Sequence, residues 1–362
     1  MSNQEKELGV LRQQIDSIDK QMHELLNRRA ACAQQVAEVK LKHQGTQDAV
    51  FYRPEREAQV LRAVMERNPG PLPDKEVARL FREIMSVCLA LEEPMKVAFL
   101  GPKGTFTQQA AHKHFGHAAQ ALPLNSLDQV FREVTAGNAH YGVVPIENST
   151  EGVVSHTLDL FRQYDLQICG EVELPVHQHL LRKLGDNGDI ERIYAHPQAF
   201  AQCSGWLERE YPAAERIEVS CNAEAARRVA ADARGSGALA TDSAADLHDL
   251  QLVDRNVEDQ PDNVARFLII GAQDVGASGV DKTSILISTH HEPGALYELL
   301  EPFKRNQISL TRIETRSVGS SCLFYIDFEG HCTDDKIRPV LRELESGSVE
   351  LKLLGSYPRC VL

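Results

Sequence analysis

The residues of this chain best able to do chemistry gather in short polar runs, and the densest closes the stretch YGVVPIENSTEGVV (141–154). An apolar run ends at Ile146 and delivers Glu147, Asn148, Ser149, Thr150 and Glu151 side by side, followed by Gly152. A polar cluster at the C-terminal end of a strand, ahead of a helix, sits where open α/β sheets bind ligands. Five neighbouring side chains that donate or accept hydrogen bonds suit a small polyoxygenated substrate better than a core. A polar loop without a ligand has the same composition, so the cluster does not decide the matter alone.

Other runs share its character. VAFLGPKGTFT (97–107) reads as a strand, a Gly-rich turn and a helix start, where backbone amides bind anions. The P-loop pattern GxxxxGK[ST] is absent, so a carboxylate fits better than a nucleotide phosphate. AHPQAFAQC (195–203), SCNAEAA (220–226), ALATDSAA (238–245) and DNVARF (262–267) each follow a predicted strand and open a helix, or lead back into a strand. That repetition predicts two α/β lobes with a cleft between them.

A second constellation precedes Pro94. Leu8, Leu11, Ile15, Ile18, Met22 and Leu25 alternate spacings of three and four, and the register continues through Arg29, Cys32, Val36 and Val39. A helix over 8–40 is about 50 Å long. Two shorter helices are expected at 54–67 and 74–91, too short to cover the seam, so the block is expected to dimerise. Arg29 occupies a seam position and Lys40 lies three turns on, near the same face. Glu57 shares a face with Leu61 and Val64, with Arg56 and Arg53 close by, and Glu92 follows Cys88 by one turn. A snorkelling side chain accounts for any one of these. Four such charges across three helices are too costly to repeat idly, and they suit a dianionic ligand.

These elements fall into blocks. Glu92-Glu93-Pro94 ends the helical one, strands and helices alternate over 97–270, and GAQDVGASGVDK (271–282) reads as a linker. The remainder, 283–362, has a strand-helix-strand-strand-helix-strand pattern. The 362 residues, 42% hydrophobic and 25% charged, have the profile of a soluble enzyme. A net charge of −13 argues against nucleic acid or an anionic membrane as partner. The eight cysteines form no CxxC pair or zinc pattern, no signal peptide or spanning segment appears, and a cytoplasmic protein without metal or cofactor is expected.

The α/β motifs, in order and spacing, resemble those of prephenate dehydratases. The resemblance implies a two-lobed domain at 96–273, like a periplasmic-binding protein. It also implies that prephenate loses its carboxylate and ring hydroxyl to give phenylpyruvate. It implicates Arg266 as carboxylate anchor beside Phe267, and Thr105, Asn148, Ser149, Gln198 and Gln202 as donors, oriented by Glu147 and His196. Two positions depart from that family: Ala195 replaces Ser, and Ala265 replaces a Thr regarded as essential. The helical block, 1–93, resembles the all-helical chorismate mutases, which are intertwined dimers. Arg12, Arg29, Lys40, Arg56, Glu57, Cys88 and Glu92 fall on that family's substrate positions, with Arg12 expected to reach the partner's site. Arg53, Cys88 and Glu92 stand where some members have an acid, Ser and Gln. A Glu beside the breaking ether oxygen helps only when protonated.

The last block, 283–362, resembles ACT domains, with a βαββαβ fold. The GALY and ETRS segments place Gly294, Ala295, Leu296, Glu314, Thr315 and Arg316 as residues for the effector L-phenylalanine. Together these imply a chorismate mutase–prephenate dehydratase, a homodimer or higher assembly, with chorismate and prephenate as substrates. The rival reading is a mutase whose α/β region only binds prephenate or phenylpyruvate as a regulatory module.

Overall fold

Mostly good helix formers, with glycine at 9 and 45, carry the heptad seam into one long helix, α1 (Asn3–Asp48), which runs more than a turn beyond the expected span at each end. In the computed structural model, residues 3–48, 52–150, 152–232, 234–290, 292–318 and 321–362 are described, so Glu151 of the polar cluster lies outside. Helix α2 (Pro54–Glu66) begins with proline at its first position, where the missing N–H costs nothing. Helix α3 (Asp74–Glu92) ends just before Pro94 and packs against both α1 and α2. Leu8, Leu11, Ile15, Ile18, Met22 and Leu25 stay between 42% and 58% exposed within the single chain.

The first lobe takes β1 (Lys96–Leu100), α4 (Phe106–Phe115), β2 (Gln120–Leu124), α5 (Leu127–Thr135), β3 (Tyr141–Asn148), β4 (Gly152–Val153), α6 (Ser155–Gln163) and β5 (Gln167–Pro175). The second takes β6 (His179–Lys183), β7 (Arg192–Ala195), α7 (Pro197–Gln202), α8 (Ser204–Glu210), β8 (Glu215–Glu218), α9 (Asn222–Ala231), β9 (Ser236–Ala240), α10 (Asp242–Leu247) and β10 (Leu250–Asp254). The chain then returns to the first lobe as β11 (Val264–Gly271). The first sheet has order β2-β1-β3-β11-β5, and β11 lies antiparallel between β3 and β5. The second has order β10-β6-β9-β7-β8. Two crossings join the lobes and bond to each other: Val176 N donates to Asn263 O at 2.8 Å, and Val257 N to Gln178 O at 2.9 Å.

The last block folds as β12 (Asp281–His290), α11 (Ala295–Arg305), β13 (Leu310–Val318), β14 (Ser321–Glu329), α12 (Ile337–Gly347) and β15 (Glu350–Pro358), an antiparallel sheet of order β13-β14-β12-β15. Its Leu286, Leu323, Tyr325, Leu354 and Tyr357 share a core with Ile168, Leu268 and Ile270 of the first lobe. The segment read as a flexible linker is pinned instead. Arg62 of α2 donates to Ser278 Oγ at 2.9 Å and to Val280 O at 2.9 Å, and Ser278 Oγ bonds Asp281 at 2.6 Å. Among the described residues no helix is long and apolar enough to cross a membrane.

Candidate active sites

Strand ends and helix starts from both lobes meet around a cleft of about 320 Å³. Of the expected residues, Thr105, Glu147, Asn148, His196, Gln198, Gln202 and Phe267 line it, and so does Ala265. Thr105 caps α4: its hydroxyl accepts from Gln108 N at 3.4 Å and donates to Pro102 O at 3.1 Å. His196 caps α7, with Nδ1 accepting from Gln198 N at 3.3 Å, which leaves the neutral ring's proton on Nε2. Asn148 Oδ1 accepts from Thr150 N at 2.9 Å. Glu147 is bound by Arg312 of β13 at 2.5 Å, a link from the cleft to the last block. The residues lining the cleft include no Lys or Arg among those described. Positive potential for an anion then comes from the starts of α4 and α9, whose first residues face it.

Two expected residues lie elsewhere. Successive strand residues face opposite ways, so Ala265 and Phe267 reach the cleft while Arg266 turns to the last block. There it bonds Asp327 at 2.7 Å, Glu171 at 2.9 Å and the Tyr357 hydroxyl at 3.2 Å, and Lys282 completes the cluster on Glu171 at 2.8 Å. Burial works against the Arg266 charge, but Tyr357, Asp327 and Glu171 more than offset it and raise its pKa. Arg266 is a domain joint, not a carboxylate anchor. Ser149 is also structural, its hydroxyl donating to Asn263 Oδ1 and accepting from Val264 N, both at 3.0 Å, which ties β3 to the start of β11.

Gln178, Asn222 and Thr241 line the cleft without having been singled out. Asn222 and Thr241 sit in motifs already noted, at the starts of α9 and α10. Thr241 braces the lobes by donating to Gly104 O at 3.0 Å. Gln178 lies in a crossing that no motif marks.

In the helical block Arg29, Lys40 and Glu92 come within electrostatic reach of one another. Burial raises the Glu92 carboxyl pKa, opposed by Lys40 and Arg29. Burial lowers the Lys40 pKa, opposed by Glu92 and assisted by Arg53. Glu92 Oε2 is buried with no hydrogen-bond partner among the described residues, and buried Cys88 lies one turn before it. Arg56 and Arg12 are exposed, and Arg12 lies about 25 Å along α1 from Arg29, beyond reach of the same site in one chain. Glu57 is elsewhere. It faces the first lobe and bonds Arg82 at 3.1 Å, while Arg82 donates to Lys113 O at 2.7 Å. It lines a hollow with Lys113, His114 and Cys169 of the first lobe, and burial raises its pKa against the pull of Arg82.

In the last block Gly294 caps α11 with φ 95°, a conformation open to glycine, and Leu296 is exposed. Ala295 lines a hollow of about 230 Å³ between α11 and α12. The hydroxyls of Thr289 and Ser348 border it, buried and without partners among the described residues. Thr315 lies beside Glu314 and Arg316 on β13. Glu314 bonds Arg312 at 3.4 Å, and Arg316 bonds Asp159 at 3.3 Å and Ser155 O at 3.1 Å, so both charges are engaged beside the first lobe.

Family models match in two places: chorismate mutase type II over residues 11–93 and prephenate dehydratase over 97–275. The chain is 54% identical to the bifunctional chorismate mutase/prephenate dehydratase of Pseudomonas aeruginosa, over 100% of both. It is also 54% identical to that of Stutzerimonas stutzeri, over 98% of this chain and 99% of the other. The solved prephenate dehydratase of Arthrobacter aurescens, in complex with L-Phe, superposes with a TM-score of 0.69 at 34% identity, over 73% of this chain and 90% of that one. Because the likeness runs unbroken through the helical block, both lobes and the last sheet, the chain belongs to the bifunctional chorismate mutase/prephenate dehydratases.

Proposed function

We propose a division of labour for the two reactions, chorismate to prephenate and prephenate to phenylpyruvate. Residues 1–93 carry the first, 96–273 the second, and 283–362 form an ACT domain whose ligand is L-phenylalanine. In the mutase, Arg29, with Arg12 from a second copy, holds the substrate carboxylates in the reactive conformer. Lys40 and protonated Glu92 stabilise charge at the breaking ether oxygen, and the orphaned, buried Glu92 oxygen supports this. The long exposed seam on α1 supports a dimer, and its occupant is the same seam of a second copy. Ile18→Glu with Leu25→Glu is expected to give a monomer by sedimentation, with mutase lost and dehydratase retained. A fully active monomeric mutase would refute the shared site.

In the dehydratase, amides and helix starts hold a dianion, and a donor assists the leaving hydroxyl as the carboxylate departs as CO2. The observation that carries this reading is the inter-lobe cleft lined by Thr105, Asn148, His196, Gln198 and Gln202. Phenylalanine binding near Gly294, Ala295 and Leu296 is supported by the adjoining hollow. Its effect reaches the cleft through Arg312 and Glu147. Prephenate turnover is expected to fall with added L-phenylalanine, and the chain truncated after residue 282 should lose calorimetric binding of it. Identical affinity in the truncated chain would place the effector elsewhere. We place the protein in the cytoplasm.

A further inference from the structure

Four buried side-chain polar atoms have no hydrogen-bond partner among the described residues, and two of them border the hollow between α11 and α12. They are Thr289 Oγ1, near the end of β12, and Ser348 Oγ, just past α12. Residues two apart on a strand share a face, and Ile285 and Ile287 of β12 lie in the core with Leu299 of α11 and Leu344 of α12. Thr289 continues that row with a hydroxyl where valine would fill the same space. A buried hydroxyl without a partner is costly, and a polar ligand atom that bonds both hydroxyls would remove the cost. Charge selects which atom that is. The hollow, about 230 Å³, is lined by Glu292, Glu298 and Glu343, with His290, and by no Lys or Arg among the described residues. Glu343 pairs with Arg305, which lies outside the lining, but Glu292 and Glu298 keep the field at the rim negative. A carboxylate is repelled there. An ammonium meets opposite charge and has three protons to donate, and both hydroxyls can accept.

We infer that Thr289 and Ser348 form the ammonium subsite of the effector, accepting hydrogen bonds from the amino group of L-phenylalanine. The carboxylate of the same molecule has a place next door, since Ala295 lines the hollow and no side chain caps the start of α11. The subsite distinguishes an amino acid from a keto acid with the same ring, such as phenylpyruvate, the enzyme's own product. The inference rests on reading the last block as the phenylalanine-binding domain.

The test uses the full chain, titrated calorimetrically with L-phenylalanine and with 3-phenylpropanoate, which has the ring and carboxylate without the ammonium. Thr289→Val and Ser348→Ala should each weaken L-phenylalanine binding by about 10- to 100-fold, the range for one hydrogen bond to a charged group. Binding of 3-phenylpropanoate should be the same in the parent and both variants. Without ligand, the urea midpoint of Thr289→Val should match or exceed the parent's, because the change removes an unbonded hydroxyl from a buried site. Unchanged L-phenylalanine affinity in either variant, with binding still lost on truncation after residue 282, would overturn the subsite and leave the effector reading standing. Equal weakening of 3-phenylpropanoate would overturn it too, since the hydroxyls would then serve another part of the ligand. A urea midpoint lowered in step with affinity would make Thr289 a residue of the fold and not of the site. Undiminished binding in the truncated chain would overturn the effector reading itself, and the subsite with it.

Discussion

Ala265 and Arg266 are adjacent yet serve different parts of the molecule, because a strand sends alternate side chains to opposite faces. Arg266→Ala should cost about 3–5 kcal/mol by chemical denaturation, since it leaves buried Glu171 and Asp327 short of a cation. KM for prephenate should change little, whereas loss of a true anchor would raise it steeply. Ala265 contributes only a methyl group to the cleft at a position where the family pattern has a hydroxyl. Ala265→Thr should raise prephenate kcat by up to about 10²–10³, with little change in binding, if that hydroxyl aids the leaving group. An unchanged kcat would mean that another group, such as Thr105, already does so. If Glu92 donates to the ether oxygen as proposed, it sets the pH dependence of the mutase. Its carboxyl pKa is raised, so the donating form survives to higher pH than an ordinary carboxylic acid. Mutase activity should fall as pH rises through that raised value, and Glu92→Gln should flatten the decline.

Helix α4 shows how much an element can conceal from sequence reading. His114, half-buried on it, accepts or donates a 3.1 Å bond with the Tyr52 hydroxyl at the junction with the helical block. Burial, with Arg82 adding to it, pushes its pKa down from 6.5 to about 3. The folded state refuses a proton that the unfolded chain accepts below pH 6.5, so stability is present above that pH and declines until about pH 3. The loss down to that pH amounts to roughly 5 kcal/mol. Urea titrations from pH 7 to 4 should show this slope, reduced in His114→Gln. The helices of the first block were legible because heptad spacing and flanking prolines act locally, and the cleft motifs because strand-turn-helix signals recur. The shared face of Glu57, Leu61 and Val64 was legible too, but periodicity identifies a face and not the module that covers it. That is why Glu57 reads as a mutase-site residue, while the dehydratase resemblance that implicates Arg266 identifies its motif and not the face of β11 it turns to. Gln178 carried no local signal at all, since it reaches the cleft only where two crossings meet. The Gly- and Ser-rich linker looked loose because composition reports intrinsic stiffness, not capture by a distant guanidinium.

Across the whole molecule, charged contacts join one module to another. Arg312 reaches from the last sheet to Glu147 in the cleft, and Glu314 bonds the same guanidinium. Arg312→Ala should weaken the inhibition of prephenate turnover by L-phenylalanine several-fold while leaving calorimetric binding of phenylalanine intact. Equal loss of both would mean that Arg312 serves binding and not transmission. Arg62 has a further consequence. It donates to Val280 O and, 297 positions ahead in sequence, to Arg359 O. On the ribosome, α1 to α3 emerge first and have only local contacts to make. Their docking partner at 278–280 and 359 does not exist until nearly the whole polypeptide has been synthesised. For most of translation α2 therefore lacks this clamp, although partners of the helices in the first lobe such as Lys113 O emerge early, and α1 can meet that of a second nascent copy before its own chain is finished.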